Sequence, residues 1–284
     1  MAGIVDAHTH LLPERLAAAI RAFFVEHISP DVFPYPADWK EARGALVRAG
    51  VGRCWSLPYV RKPGSAGALN RWMAETFAAD PIVEPGGTVH PGDDVARVVE
   101  EALGTLGLRL LKLHCAVGGY PLDDRRLDPL WSSVSGSGTP VVVHLGHAPG
   151  GTTEADELRD LHTVAGRWPS ARIILAHCAA PAVEAALALL VRHPGLHADL
   201  TPVVGELARV PSGALAGLEH RILFGSDVPN VGVRVEEAVA SVRALGLSPA
   251  DEALVLGGNA DRLLPPRGRG ADVKRPGDGP AGGR

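Results

Sequence analysis

The chain has 284 residues and a formal net charge of -4, from 28 Lys and Arg against 32 Asp and Glu. Hydrophobic residues make up 46% and charged residues 21%, which excludes a disordered chain and any nucleic-acid binder that relies on a positive field. No apolar run approaches the roughly 20 residues of a membrane helix, no basic leader precedes His10, and Cys54, Cys115 and Cys178 form no CxxC pair, so a soluble, cytoplasmic protein without membrane or nucleic-acid partners is expected.

Short β-rich runs alternate with longer segments of helical period from residue 3 to residue 264. A strand predicted over residues 3–7 precedes an amphipathic stretch at 14–27, then a Pro-rich insert, Phe33-Pro34-Tyr35-Pro36 with Trp39, read as a candidate lid. Strands at 52–57, 82–89 and 108–113 follow, separated by helical patterns at 69–79 and 94–104. The second half continues with strands at 140–145, 171–176, 196–200 and 221–224 and with helices at 127–134, 153–167, 182–192 and 234–245. Residues 204–218 make the weakest helix, since Pro211 and Gly213 interrupt the pattern. Eight strands, each followed by a helix, predict an α/β fold, a single-domain (β/α)8 TIM barrel over residues 1–264, although a doubly wound open sheet would show the same alternation. Residues 265–284 are half Pro and Gly, so a disordered tail with solubilising charge is expected there.

Chemistry concentrates where the predicted strands end. His8 and His10 close the first, Lys112 and His114 the fourth, His144 the fifth, His177 the sixth and Asp227 the eighth. These C-terminal ends are where barrel enzymes build their sites. Alternation along a strand puts His8 on one face with His10, Lys112 with His114, Val142 with His144, Leu175 with His177, and Gly225 with Asp227. If each of these faces is the barrel interior, imidazoles and a carboxylate meet at one point. A single such histidine is ordinarily a hydrogen-bonded strand-end residue, but burying several ionisable groups together is costly without a cation. The N/O donor set suits a divalent metal ion such as Zn²⁺, with a coordination position open to water.

The runs VDAHTHLLPERL, TVHP, LRLLKLHC, DDRRLDPLW followed by PVVVHLG, RIILAHC, RILFGSDVP and GGNADRLL stand in order from about residue 3 to residue 264. Together they resemble amidohydrolase family 2, the metal-dependent barrel enzymes similar to aminocarboxymuconate semialdehyde decarboxylase. The resemblance implies that His8, His10, His144 and Asp227 hold the metal. It also implies that His177 orients or deprotonates a bound water, with Asp227 as the other proton acceptor. Binuclear relatives in the wider superfamily carry a carboxylated lysine on the fourth strand, whereas a KLH run is common in mononuclear members. One metal is therefore expected, with Lys112 and His114 as substrate contacts. The alternative for Lys112 is an ion pair with a strand-end carboxylate such as Asp6.

Reactions in that family include hydrolysis, lactone opening, hydration and nonoxidative decarboxylation. Hydrolysis of a small-molecule amide, ester or lactone by a metal-activated water is the leading reading, and nonoxidative decarboxylation of an unsaturated or aromatic acid is the alternative. A barrel that retains metal and binds without turnover is the reading from another class. Arg61, in the loop Pro58-Tyr59-Val60-Arg61-Lys62, is a candidate contact for a substrate carboxylate, and solvated loop charge is its bland explanation. Trp55, Trp72, Trp131 and Trp168 are expected between helices and barrel, His90 is expected to support the site, and Cys115 and Cys178 are expected to face the helices. A homo-oligomer is left open by the sequence.

Overall fold

The computed structural model describes residues 3–27, 33–145, 154–202, 210 and 213–264. Among them, nine strand segments run parallel: β1 (Ile4–Thr9), β2 (Val51–Ser56), β3 (Val83–Pro85), β4 (Gly87–Thr88), β5 (Leu111–Leu113), β6 (Val141–Val143), β7 (Ile173–Leu175), β8 (Leu196–Asp199) and β9 (Ile222–Leu223). Pairing runs β1-β2-β3 in one group and β4 through β9 in the other. Both seams between the groups are bonded. At one, Ala7 donates its N–H to Phe224 O (2.8 Å) and Asp227 donates to His8 O (2.7 Å), with Thr9 bridged to Val228. At the other, Gly86 donates to Ser56 O (2.8 Å) and Gly87 to Leu110 O (2.9 Å). The sheet closes on itself, so the architecture is the (β/α)8 TIM barrel and not the open sheet.

The strand expected over residues 82–89 is broken at Gly86. A Cβ there would lie 3.0 Å from Ser56 O, and one on Gly87 would lie 2.9 Å from Leu111 Cδ2, so both glycines admit the close approach of neighbouring strands. Asn70, on the helix Ala66–Phe77, stands in for a strand partner: its side chain accepts the Thr88 N–H and donates to Thr88 O.

Two apolar layers surround this ladder. Register sets Lys112, Val142 and Ile174 side by side. Leu110, Val142, Ile174 and Leu223 share a buried cluster with Trp55, Leu57, Ala260 and Leu263, which is the barrel interior. Leu111, Val143, Leu175 and Phe224 pack instead with helix residues such as Trp131, Leu161 and Leu190. Both faces of each strand are apolar, as buried parallel sheets require. Trp131, Cys115 and Cys178 lie in the outer layer, with Trp72 and Trp168 packed against it. Trp55 corrects its expectation, since it fills the interior and not the helix interface.

The Pro-rich insert, read as a candidate lid, is fastened to neighbouring helices. Asp38 caps the helix Trp39–Arg48 by accepting the Lys40 N–H (2.8 Å), and Trp39 packs edge-on against Phe77 with centroids 5.2 Å apart. Tyr35 Oη accepts the Val235 N–H (3.0 Å), which fastens the insert to the helix Val235–Arg243. The helix expected over 14–27 is present as Glu14–His27, and further helical turns from Pro249 to Leu263, which periodicity did not assign, follow a Ser248 cap. Residue 153, most of the stretch 204–218 and the tail 265–284 lie outside the described residues.

Candidate metal centre

Strand β1 positions the first two ligands. Its register against β2 slips between Asp6 and Thr9, where His8 and His10 turn toward the barrel mouth. Asp6 braces this end by accepting the backbone N–H of His8 (3.1 Å) and of Ser226 (3.0 Å), and burial pushes its carboxyl up to about 7. Lys112 lies against His8, not Asp6, and the carboxylates whose charge acts on it are Asp199 and Asp227.

His10 Nδ1 donates to Leu57 O (2.7 Å), and His8 Nδ1 donates to Asp199 Oδ2 (2.9 Å). Acceptors at both Nδ1 atoms select the Nδ1–H tautomer and leave each Nε2 as a lone pair. Asp227 Oδ1 lies 2.9 Å from His10 Nε2 and 3.9 Å from His8 Nε2, yet it is buried and accepts no hydrogen bond. One ligand atom from each of His8, His10 and Asp227 thus lies within 4.8 Å of the other two. Lone pairs facing one another in a dry site repel, and a divalent cation between them removes that repulsion, so the donor set fits the metal. Asp227 reaches its position through left-handed backbone (φ 56°), which Asp adopts more readily than most residues.

A closed circuit of rings surrounds the ligands. Centroid separations are 5.1 Å for His8 and His10, 5.4 Å for His10 and Tyr59, and 4.9 Å for Tyr59 and His114. His114 stacks on His144 at 3.8 Å, His144 meets His177 at 4.9 Å, and His177 returns to His8 at 5.0 Å. Lys112 is fully buried, with Nζ 3.3 Å from His8 Nε2. Burial lowers its ammonium to about 8 against the pull of Asp199 and Asp227. Burial first, then Lys112 and the neighbouring imidazoles for His8, His114 and His144 and the neighbouring imidazoles alone for His177, hold all four well below the usual imidazole range.

Of the four expected ligands, the structure brings His8, His10 and Asp227 together. His144 sits one ring away, its Nδ1 3.3 Å from His177 Nε2, and no grouping of three ligand atoms among the described residues includes it. His177 arrives by a route other than alternation. Leu175 packs in the helix layer, so a continued strand would have aimed His177 outward. Instead β7 ends, and His177, Cys178 and Ala179 take φ of 57°, 47° and 52°. Such backbone costs about 1–3 kcal/mol per residue, and it is held by the His177 N–H donating to Asp199 Oδ1 (2.8 Å) and Thr201 Oγ1 (3.2 Å).

His114 and Lys112 line the same group, whereas Arg61 is exposed on the loop after β2, outside the buried circuit. His90 braces the turn after β5, donating from Nε2 to Gly118 O (3.1 Å) and accepting the Gly92 N–H at Nδ1 (3.0 Å). Sequence reasoning passes over Asp199 and treats Tyr59 only as part of a loop. The available signal for Asp199 is the one that singles out the others, a polar residue closing an apolar strand.

A closed barrel that gathers imidazole and carboxylate ligands at its C-terminal rim defines a (β/α)8 enzyme with a candidate metal centre. The amidohydrolase family model matches residues 5–265, and the chain belongs to that family, as an enzyme of its hydrolase or decarboxylase kind. An uncharacterized TIM-barrel protein from Bordetella bronchiseptica is similar at 22% identity and TM-score 0.73, over 92% of this chain and 98% of that one. The 5-carboxyvanillate decarboxylase of Sphingomonas paucimobilis is similar at 18% identity and TM-score 0.69, over 93% and 99%. A dihydroxybenzoic acid decarboxylase from Polaromonas, with bound manganese and the inhibitor 2-nitroresorcinol, is similar at 17% identity and TM-score 0.66, over 93% and 97%. No curated protein matches the sequence. Among the described residues no helix is long and apolar enough to cross a membrane.

Proposed function

We propose that the chain catalyses metal-dependent, nonoxidative decarboxylation of a small aromatic or unsaturated carboxylic acid. Lys112 carries this reading, as a fully buried lysine whose Nζ meets His8 inside the ring of imidazoles. With a divalent ion on His8, His10 and Asp227, the ion's charge balances the facing carboxylates Asp199 and Asp227, and Lys112 Nζ is a hydrogen-bond donor beside it. A donor in that position suits an anionic substrate. The ion is proposed as one Zn²⁺ or Mn²⁺, with His144 or water completing its ligands, and when bound it supplies a Lewis acid and lowers the pKa of bound water.

Lys112 Nζ holds the substrate carboxylate as a point charge, and Tyr59 with the stacked pair His114 and His144 offers flat faces to a conjugated ring. Arg61 is the proposed contact further out. As CO2 departs, the electron pair of the broken C–C bond stays on the ring carbon, which then takes a proton. His177, whose Nδ1 is buried without a partner, is the group placed to relay it, taking a proton from water at one ring nitrogen as it gives one up at the other. Two structures of the same fold are decarboxylases of carboxyvanillate and dihydroxybenzoate, which supports this reaction class. Hydrolysis of an amide, ester or lactone is the second reading, favoured by the unbonded Asp227 Oδ1 as an acceptor for a proton from water.

Product analysis tests the proposal, using hydroxybenzoates and conjugated acids in D2O alongside esters, amides and lactones in ¹⁸O-labelled water. CO2 release with deuterium at the vacated carbon is the expected result. Label in the hydrolysis products without CO2 from any acid would overturn it in favour of the second reading.

A further inference from the structure

We infer that Asp199 is a positioning residue for the metal centre, a single carboxylate that sets the tautomer of His8 and anchors the turn carrying His177. The inference rests on the reading that His8 is a metal ligand. Asp199 ends β8 and is fully buried. Its register partner is Leu223, which lines the barrel interior, so the carboxylate points the same way.

Its two oxygens have separate tasks. Oδ2 accepts the His8 Nδ1–H at 2.9 Å. Oδ1 accepts the backbone N–H of His177 at 2.8 Å and of Thr201 at 3.2 Å, together with the Thr201 hydroxyl. Asp199 also lies within ligand distance of His8 and His177, but each of its oxygens already accepts a hydrogen bond, whereas Asp227 Oδ1 accepts none. Asp199 therefore acts through hydrogen bonds while Asp227 is left to coordinate.

The tautomer follows from this division. A proton held on His8 Nδ1 keeps Nε2 as a lone pair on the side of His10 and Asp227, and the other tautomer would put an N–H there. Because the same carboxylate holds the His177 backbone, one group sets the first ligand and His177 relative to each other.

Asp199→Asn separates this role from simple structural support. Three donors converge on Oδ1, so the amide oxygen keeps that place and the amide nitrogen replaces Oδ2. That nitrogen donates to His8 Nδ1 and drives the ring proton to Nε2, where it displaces the Lys112 ammonium as donor. In metal-free protein labelled with ¹⁵N at histidine, with His8→Ala used for assignment, the wild type should show His8 as Nδ1–H and Asp199→Asn should show it as Nε2–H. The Kd for Zn²⁺ and Mn²⁺, measured by chelator competition, should rise about 10- to 100-fold in Asp199→Asn with unchanged far-UV circular dichroism. An Nε2–H tautomer in the wild type, which needs no variant, would overturn the inference. So would Asp199→Asn affinities within about twofold of wild type while His8→Ala loses the ions, a result that leaves the metal reading standing. If His8→Ala binds both ions as the wild type does, the metal reading itself fails and the inference fails with it.

Discussion

Replacing Gly225 with Ala adds one methyl group between the end of β9 and His8. The new Cβ would lie 2.7 Å from His8 Cβ and 3.0 Å from Thr201 Cγ2. Carbon atoms in contact sit at about 3.5–4.0 Å, so the two segments must part by roughly 1 Å. They are tied by Asp227 N–H to His8 O at 2.7 Å and by Ala7 N–H to Phe224 O at 2.8 Å, and the His8 ring is held at Nδ1 by Asp199. Gly225 does not have positive φ, so Ala suits the backbone and regains about 0.4–1 kcal/mol by restricting the unfolded chain. Overpacking costs about 1–3 kcal/mol, which at the middle of both ranges leaves a net loss of about 1–2 kcal/mol. At about 2–4 °C per kcal/mol for a domain of this order of size, Tm should fall by about 2–8 °C in a calorimetric scan. Metal affinity should fall with it, because His8 is displaced from Asp227. A Gly225→Ala protein that melts within about 1 °C of wild type and binds the ion equally well would refute the close approach of β9 to His8.

Other perturbations separate the roles around the ion. His8→Ala and Asp227→Asn should lower metal content and turnover together, whereas His177→Asn, which keeps the backbone N–H that anchors its turn, should retain most metal and lose turnover by about 10²-fold or more. Metal analysis after dialysis, set beside steady-state rates, distinguishes these outcomes. Lys112→Met preserves length and removes the buried charge. Losing a charge-assisted contact of about 1.5–3 kcal/mol should cut kcat/KM for carboxylate substrates by about 10- to 150-fold, and an unchanged value would exclude Lys112 from substrate binding. At pH 5 a separate effect is expected from His197 on β8, which burial lowers from 6.5 to about 4. The unfolded state then binds the extra proton between those values, so stability present above pH 6.5 is lost as pH falls toward 4. That loss amounts to about 1–2 kcal/mol at pH 5 after allowance for partial exposure. Urea midpoints at pH 7 and pH 5 should differ less in His197→Gln than in wild type, and equal differences would show that His197 does not titrate this way.

Local pattern makes much of the molecule legible. The period of two identifies His8, His10 and Lys112 as residues of strand ends, because side-chain direction along a strand depends only on immediate neighbours, whereas Asp227 lies past the end of β9 on left-handed backbone. The same reasoning misleads at Leu175 and His177. They do not share a face, and a left-handed run that Asp199 stabilises, from 22 positions away, turns the histidine inward. Residues 82–89 read as one strand, and the break at Gly86 appears only when Ser56 and Leu110 approach it from other segments.

Element order, the alternation of strands and helices, and the clustering of histidines at strand ends follow from interactions within a few residues, which leave a period in the chain. Closure of the barrel, the inward aim of His177, the place of Tyr59 in the ring circuit and the bond between His8 and Asp199 across 191 positions leave none. Each depends on segments that meet only after the chain has folded, and such contacts impose no repeat that composition or spacing could reveal.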